Sequence, residues 1–170
     1  MSRPVDRGFR TFVSYIDKSR EYYGAHGYEK PYQWAFNDEV PFQALSKPLA
    51  ESRVGVVTTS TLYLEDRPAR WPDTQAKEAF ALDVDHIPAR MFTDDLSWDK
   101  DATHTNDRET FLPIDCLHQL EAEGRIGSLA PRVFGVPTDY SQRRTNEVDA
   151  PAILEWARQD DIDVVLLIPL

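Results

Sequence analysis

The chain has 170 residues, a length that suits one domain with enough interior to fold without a disulfide or a structural metal. Its 29 acidic and 19 basic residues give a net charge of −10, which argues against nucleic-acid binding and against docking on an anionic membrane surface. The single cysteine, Cys116, forms no internal disulfide or zinc site, and no apolar run reaches the roughly 18–20 residues of a membrane span, so a cytoplasmic, acidic, soluble protein is expected.

The first fifty residues differ in texture from the rest. Val5, Phe9, Phe12, Val13 and Ile16 recur at steps of three and four, the signature of one helix face, with Pro4 in the first turn and Gly24 or Gly27 as the stop. An aromatic arm from Tyr28 to Phe42 follows. Pro31, Pro41 and Pro48 make a long regular element unfavourable there, and the arm is expected to pack over a core or a partner subunit. The division predicted is a helix and arm over 1–50 and an α/β domain of Rossmann or flavodoxin type over 51–170, incomplete at its C-terminus.

From Ser52 onward strands and helices alternate. Residues 53–59 are β-branched and nearly continuous, as in a parallel strand covered on both faces. Residues 79–84 read as a second strand. A helix is predicted over 113–123, where Ile114, Leu117 and Leu120 share a face and Gly124 ends it. A third strand over 126–136 is interrupted by Pro131. Asp149 is read as the cap of a helix through Ile153, Leu154 and Ala157, with Pro151 in its first turn. Residues 162–168 are apolar enough to predict a buried strand inside the sheet. The pattern defines an α/β layer with a mostly parallel sheet and flanking helices.

In such sheets ligands gather at the carboxyl ends of the strands. That rule nominates Thr58, Thr59 and Ser60 after the first strand, Asp85 and His86 after the second, and Pro137 to Tyr140 after the third. The polar run from Phe92 to Asp107 holds five aspartates, Asp107 among them, with His104 and Asn106. His104 and Asp107 have the chemistry of an acid/base pair or of metal ligands, set against the plainer reading of a solvated loop. Asp83, Asp85 and His86 form a second cluster of the kind a metal-dependent hydrolase places at a strand end. Thr58 to Ser60 suit a carboxylate or phosphate, although strand-ending hydroxyls commonly just close turns. Cys116, in the predicted helix, reads as a small core residue rather than a reactive thiol. There is no GxGxxG, no GxxxxGK[ST] and no GxSxG, which leaves dinucleotide binding, P-loop nucleotide binding and α/β-hydrolase chemistry without support.

Three stretches carry a family resemblance: PYQWAFNDEVPFQALSKPLAESRVGVVTTS from Pro31 to Ser60, THTNDRETFLPIDCLHQLEAEGRIG from Thr103 to Gly127, and the closing DIDVVLLIPL. Together they resemble the selenoprotein B subunits of the glycine, betaine, sarcosine and D-proline reductases. The resemblance implies reductive cleavage of a C–N bond in an amino acid or N-methylated amine. It implies a pyruvoyl group on a partner subunit, a selenocysteine or cysteine redox centre, and a thioredoxin-type or selenoprotein reductant. A homo-oligomer is compatible with it; nucleic acid and membrane are not among its partners. Thr58, Thr59, His104 and Asp107 are the positions it carries over as substrate-binding candidates, and the family text around His104 differs from the His104-Thr105-Asn106-Asp107 found here. Cys116 does not match the family's redox cysteine. The nucleophile belongs immediately after Leu170, so the expectation is a chain ended by a UGA codon read as stop, or an equivalent fragment, inactive by itself. The alternatives are a catalytically silent subunit or binding module of the same fold, and the metal-dependent hydrolase.

Overall fold

The computed structural model describes residues 14–28, 30, 35, 37–62, 78–93, 104–139 and 141–170. The chain divides into two compact units, Met1–Phe36 and Asn37–Leu170. In the first, α1 (Tyr15–Ala25) begins at Ser14, whose hydroxyl accepts from the Asp17 N–H at 3.3 Å. It ends at Gly27, where φ of +84° lets the Tyr28 N–H return to the Tyr23 carbonyl at 3.1 Å. Val5, Phe9, Phe12 and Val13, which carry the predicted helical face, lie outside the described residues.

The second unit opens with an extended segment. Among the described residues of the predicted arm, Val40 is 81% and Phe42 91% exposed, so neither packs on a core of this chain. Pro41 between them removes a backbone donor, and the segment joins neither sheet.

The main sheet is built on β1 (Arg53–Thr58). On one side β1 pairs in parallel with β5 (Ser128–Leu129) and β6 (Arg132–Gly135), two pieces of one strand line broken at Pro131. On the other side it pairs in parallel with β7 (Val164–Ile168), over five residues from Val54↔Val164 to Thr58↔Ile168. The parallel strands therefore take the order second, first, third in chain sequence, the doubly wound arrangement with its switch point between β1 and β7. Alternation along β1 serves both faces. Val54 and Val56 pack with Ile114 and Leu117 of α2 (Ile114–Ala122), while Val57 packs with Phe134 and with Ala157 of α4 (Ala150–Gln159). A small second sheet pairs β2 (Thr61–Leu62) antiparallel with β4 (Met91–Phe92).

Four features differ from the sequence reading. β3 (Phe80–Asp83) is an antiparallel edge strand on β6, in register Phe80↔Gly135 to Asp83↔Arg132. β7 is parallel to β1, but among the described residues it pairs with β1 alone and is an edge rather than an interior strand, with Leu167 75% exposed. Asp149 is no cap. It lies inside a continuous helical run of α3 (Gln142–Arg144), a π turn (Thr145–Asp149) and α4, and its backbone is already helical. Cys116 is exposed, because on α2 it points about 200° away from Ile114, which faces the core.

Candidate functional site

The carboxyl edge of the parallel strands carries a run of hydroxyls. Thr58, Ser60 and Thr61 are buried, and Thr59 is half-buried. The Thr58 hydroxyl donates to Ser60 Oγ at 3.0 Å and accepts the Ser60 N–H at 3.1 Å, an ST turn that ends β1. Ser60 Oγ in turn donates to Met91 Sδ at 3.8 Å. Thr59 reaches across the switch point. Its hydroxyl donates to the Leu170 carbonyl at 3.2 Å and accepts the Leu170 N–H at 2.8 Å, so one side chain clasps the end of β7 to the end of β1. The Thr61 Oγ1 is buried without a hydrogen-bond partner.

His104 and Asp107 make their hydrogen bonds within their own loop. His104 is exposed, and its Nδ1 accepts the Asn106 N–H at 3.4 Å. Asp107, also exposed, caps a 3-10 turn over Arg108–Thr110 by accepting the Glu109 N–H at 3.1 Å. That turn leads through the buried Phe111 and Leu112 into α2, which runs back toward the start of β5, so the segment enters from the carboxyl side of the sheet. Asp85 and His86 are corrected outright. Because β3 is antiparallel, its C-terminal end meets Arg132, the first residue of β6, and the cluster of Asp83, Asp85 and His86 sits at the amino edge, away from Thr58. Most of the aspartate-rich run, residues 94–103, lies outside the described residues, as does Tyr140. Among the described residues no group of three His, Cys, Asp or Glu side chains is arranged to hold a metal ion. No helix among them is long and apolar enough to cross a membrane.

A hollow of about 340 Å³ also lies at the amino edge, bordered by Lys47, Arg53 and Asp163. Lys47 Nζ stands 2.7 Å from Asp163 Oδ2, which also accepts the Arg53 backbone N–H at 2.7 Å, and Glu51 and Asp161 border the hollow as well. Those bonds, the one to Lys47 foremost, hold the Asp163 carboxyl below the usual carboxylate range. The hollow therefore reads as a structural seam.

The group that sequence reasoning missed is Arg144 with Asp149. Asp149 is 3% exposed, on the stripe that continues through Ile153 and Ala157 toward the sheet. Its Oδ1 stands 3.5 Å from Arg144 Nε, and neither atom makes a hydrogen bond. Burial raises the Asp149 carboxyl above its ordinary value; the Arg144 charge opposes this and the Asp139 charge adds to it. The signal in the sequence was an acid at the position of the helical stripe where an apolar residue is due. It was read instead as a cap because Pro151 follows.

No protein-family model, no curated protein and no solved structure matches this chain.

Proposed function

We propose that this chain is part of a cytoplasmic reductase subunit of the selenoprotein B type, acting on the C–N bond of an amino acid or N-methylated amine. The observation that carries the reading is the Thr59 clasp. It fixes the end of β7 at the switch point, beside the hydroxyls that end β1, which is where the resemblance requires a nucleophile. The pyruvoyl group belongs to a partner subunit, so no residue of this chain has to hold it. A selenolate or thiolate is the soft nucleophile the chemistry needs, because it is ionised near neutral pH and leaves readily; a dithiol reductant returns it to the reduced state. On this reading Thr58 and Thr59 shape the floor beneath the reacting atoms rather than attack. His104 and Asp107 stand on the segment that enters from the carboxyl side and are substrate-positioning candidates.

One measurement tests it. The full-length protein, combined with a pyruvoyl-bearing partner and a dithiol, is expected to release the free amine from glycine, betaine or sarcosine, or to open the D-proline ring to a linear amino acid, as the dithiol is oxidised to its disulfide. No C–N cleavage in any of the four overturns the reductase and favours the silent binding module.

A further inference from the structure

We propose that the outer edge of β7 is an interface on which a second copy of this chain adds its own β7, antiparallel and two-fold, joining the two main sheets. Among the described residues the sheet ends on β3 at one side and on β7 at the other, and the two ends are built differently. β3 is four residues long and is closed by charge: Asp83 ends it, and Asp85 and His86 follow at once. Charge and shortness are the common protection of an edge against pairing with another chain. β7 has neither. Residues 164–170 carry no charge in a chain of net charge −10, and Leu166 is 38% and Leu167 75% exposed.

The backbone of β7 is oriented by β1. The Val54 and Thr58 carbonyls accept the Ala130 and Val136 N–H groups at 2.8 and 2.9 Å, so the even residues of β1 face β5 and β6 and the odd ones face β7. In a parallel pair each residue bonds to the two neighbours of its register mate; Gly55, the mate of Val165, therefore meets Val164 and Leu166. Val165 and Leu167 turn their N–H and C=O groups outward. Those groups are self-complementary in one register. With the two-fold axis at Leu166, Val165 of one copy faces Leu167 of the other, and the two such pairs form four N–H···O=C bonds. Asp163 then faces Pro169. The Asp163 N–H is already taken by the Arg53 carbonyl at 3.0 Å, and Pro169 has none to give, so the pairing ends without an orphaned donor. The side chains agree with the backbone. The exposed Leu167 comes to lie opposite Val165 of the second copy, which packs in the α4 cluster, and Leu166 meets Leu166. An axis at Leu167 would instead set Val165 against Pro169 and lose a donor, and an axis at Val165 would bring Asp163 against Leu167.

Five residues a side make a small contact, short of the roughly 1,200 Å² that stable interfaces bury, so the dimer is weak, with a Kd of about 0.1 mM. At the micromolar concentrations of a denaturation experiment the chain is then a monomer. The interface rests on the fold and is independent of the reductase reading. The full 170-residue chain is followed by sedimentation equilibrium and amide hydrogen exchange from about 10 μM to about 1 mM, a range that brackets that Kd. A monomer–dimer equilibrium is expected, and the Val165 and Leu167 amides, but not the Leu166 amide, gain protection as concentration rises. Leu166→Asp and Leu166→Lys each set like charges together on the axis and are each expected to weaken the dimer at least tenfold, while an equimolar mixture of the two restores it. Leu167→Lys, on the opposite face, is expected to weaken it at least tenfold with the melting temperature unchanged. A chain that stays monomeric up to about 1 mM overturns the proposal, as does a dimer that survives Leu167→Lys or gains its protection elsewhere. A mixture of folded Leu166 variants that stays monomeric overturns it as well. Should those variants fail to fold, Leu167→Lys and the exchange pattern decide the matter.

Discussion

Gly135 closes β6 opposite Phe80, and there the absence of a side chain is a packing requirement. A Cβ at Gly135 would come within 2.0 Å of the Phe80 ring, and the whole ring edge lies under it. Phe80 sits over the glycine and joins the core cluster of Val54, Val56 and Val133. Gly135→Ala is therefore expected to lose about 3 kcal/mol in urea denaturation, at the upper end of overpacking. Adding Phe80→Leu should recover part of that loss. A neutral Gly135→Ala would show that the ring yields freely and that β3 is loosely held. Single residues are also where the sequence was hardest to read. Thr58 and Thr59 were legible as strand-ending hydroxyls, because the β-branched run stops there. Their bonds were not, since Thr59 finds its partner 111 residues away in Leu170. Cys116 was misassigned although the helical period places it about 200° from Ile114 and about 100° from Leu117, off the buried face.

At the level of elements, periodicity located the segments and tertiary pairing decided their roles. α2 was legible in full, with its apolar spacing and Gly124 at φ +67° as the stop. The break at Pro131 was read as an interruption and is one, since β5 and β6 follow β1 on either side of it. The direction of β3 was not legible, because four residues of mixed polarity read alike in either orientation. That one reversal moves Asp83, Asp85 and His86 to the wrong edge for the site. The junction that holds α4 to the sheet was equally hidden. Arg132, at the start of β6, donates to both carboxylate oxygens of Asp160, from Nε to Oδ2 at 2.9 Å and from Nη2 to Oδ1 at 2.8 Å, while Arg53 Nη1 donates to the Asp160 carbonyl at 2.6 Å. The Asp160 side chain is 10% exposed, so removing its fork-shaped partner leaves a charge with little water. Arg132→Ala is expected to cost about 2 kcal/mol by urea denaturation. Arg132→Lys should restore only part of it, because an ammonium cannot hold both oxygens at once. A loss below about 0.5 kcal/mol, typical of a surface pair, would place the anchoring of α4 in its apolar stripe alone.

For the molecule as a whole, the order of strands settles what the composition of each strand could not. Both 54–57 and 164–168 are apolar throughout, and the sequence assigns both to the interior. The structure separates them: Val56 is fully buried between β6 and β7, while Leu167, one strand further out, is 75% exposed. The difference arises because β1 has neighbours on both sides and a helix over each face. α4 packs on Val57, Phe134 and Val165 but leaves Leu167 in solvent. Two substitutions of comparable chemical severity should then have very different effects. Val56→Ala opens a cavity at the centre of the sheet and is expected to cost about 2 kcal/mol. Leu167→Lys places a charge on an exposed edge position, where the lysine head stays in water, and is expected to change stability by less than about 0.5 kcal/mol. Both are measured on the full chain by urea denaturation with a common slope. Should Leu167→Lys prove as costly as Val56→Ala, β7 would have a covered outer edge in solution, and the interior position read from its sequence would be the right one.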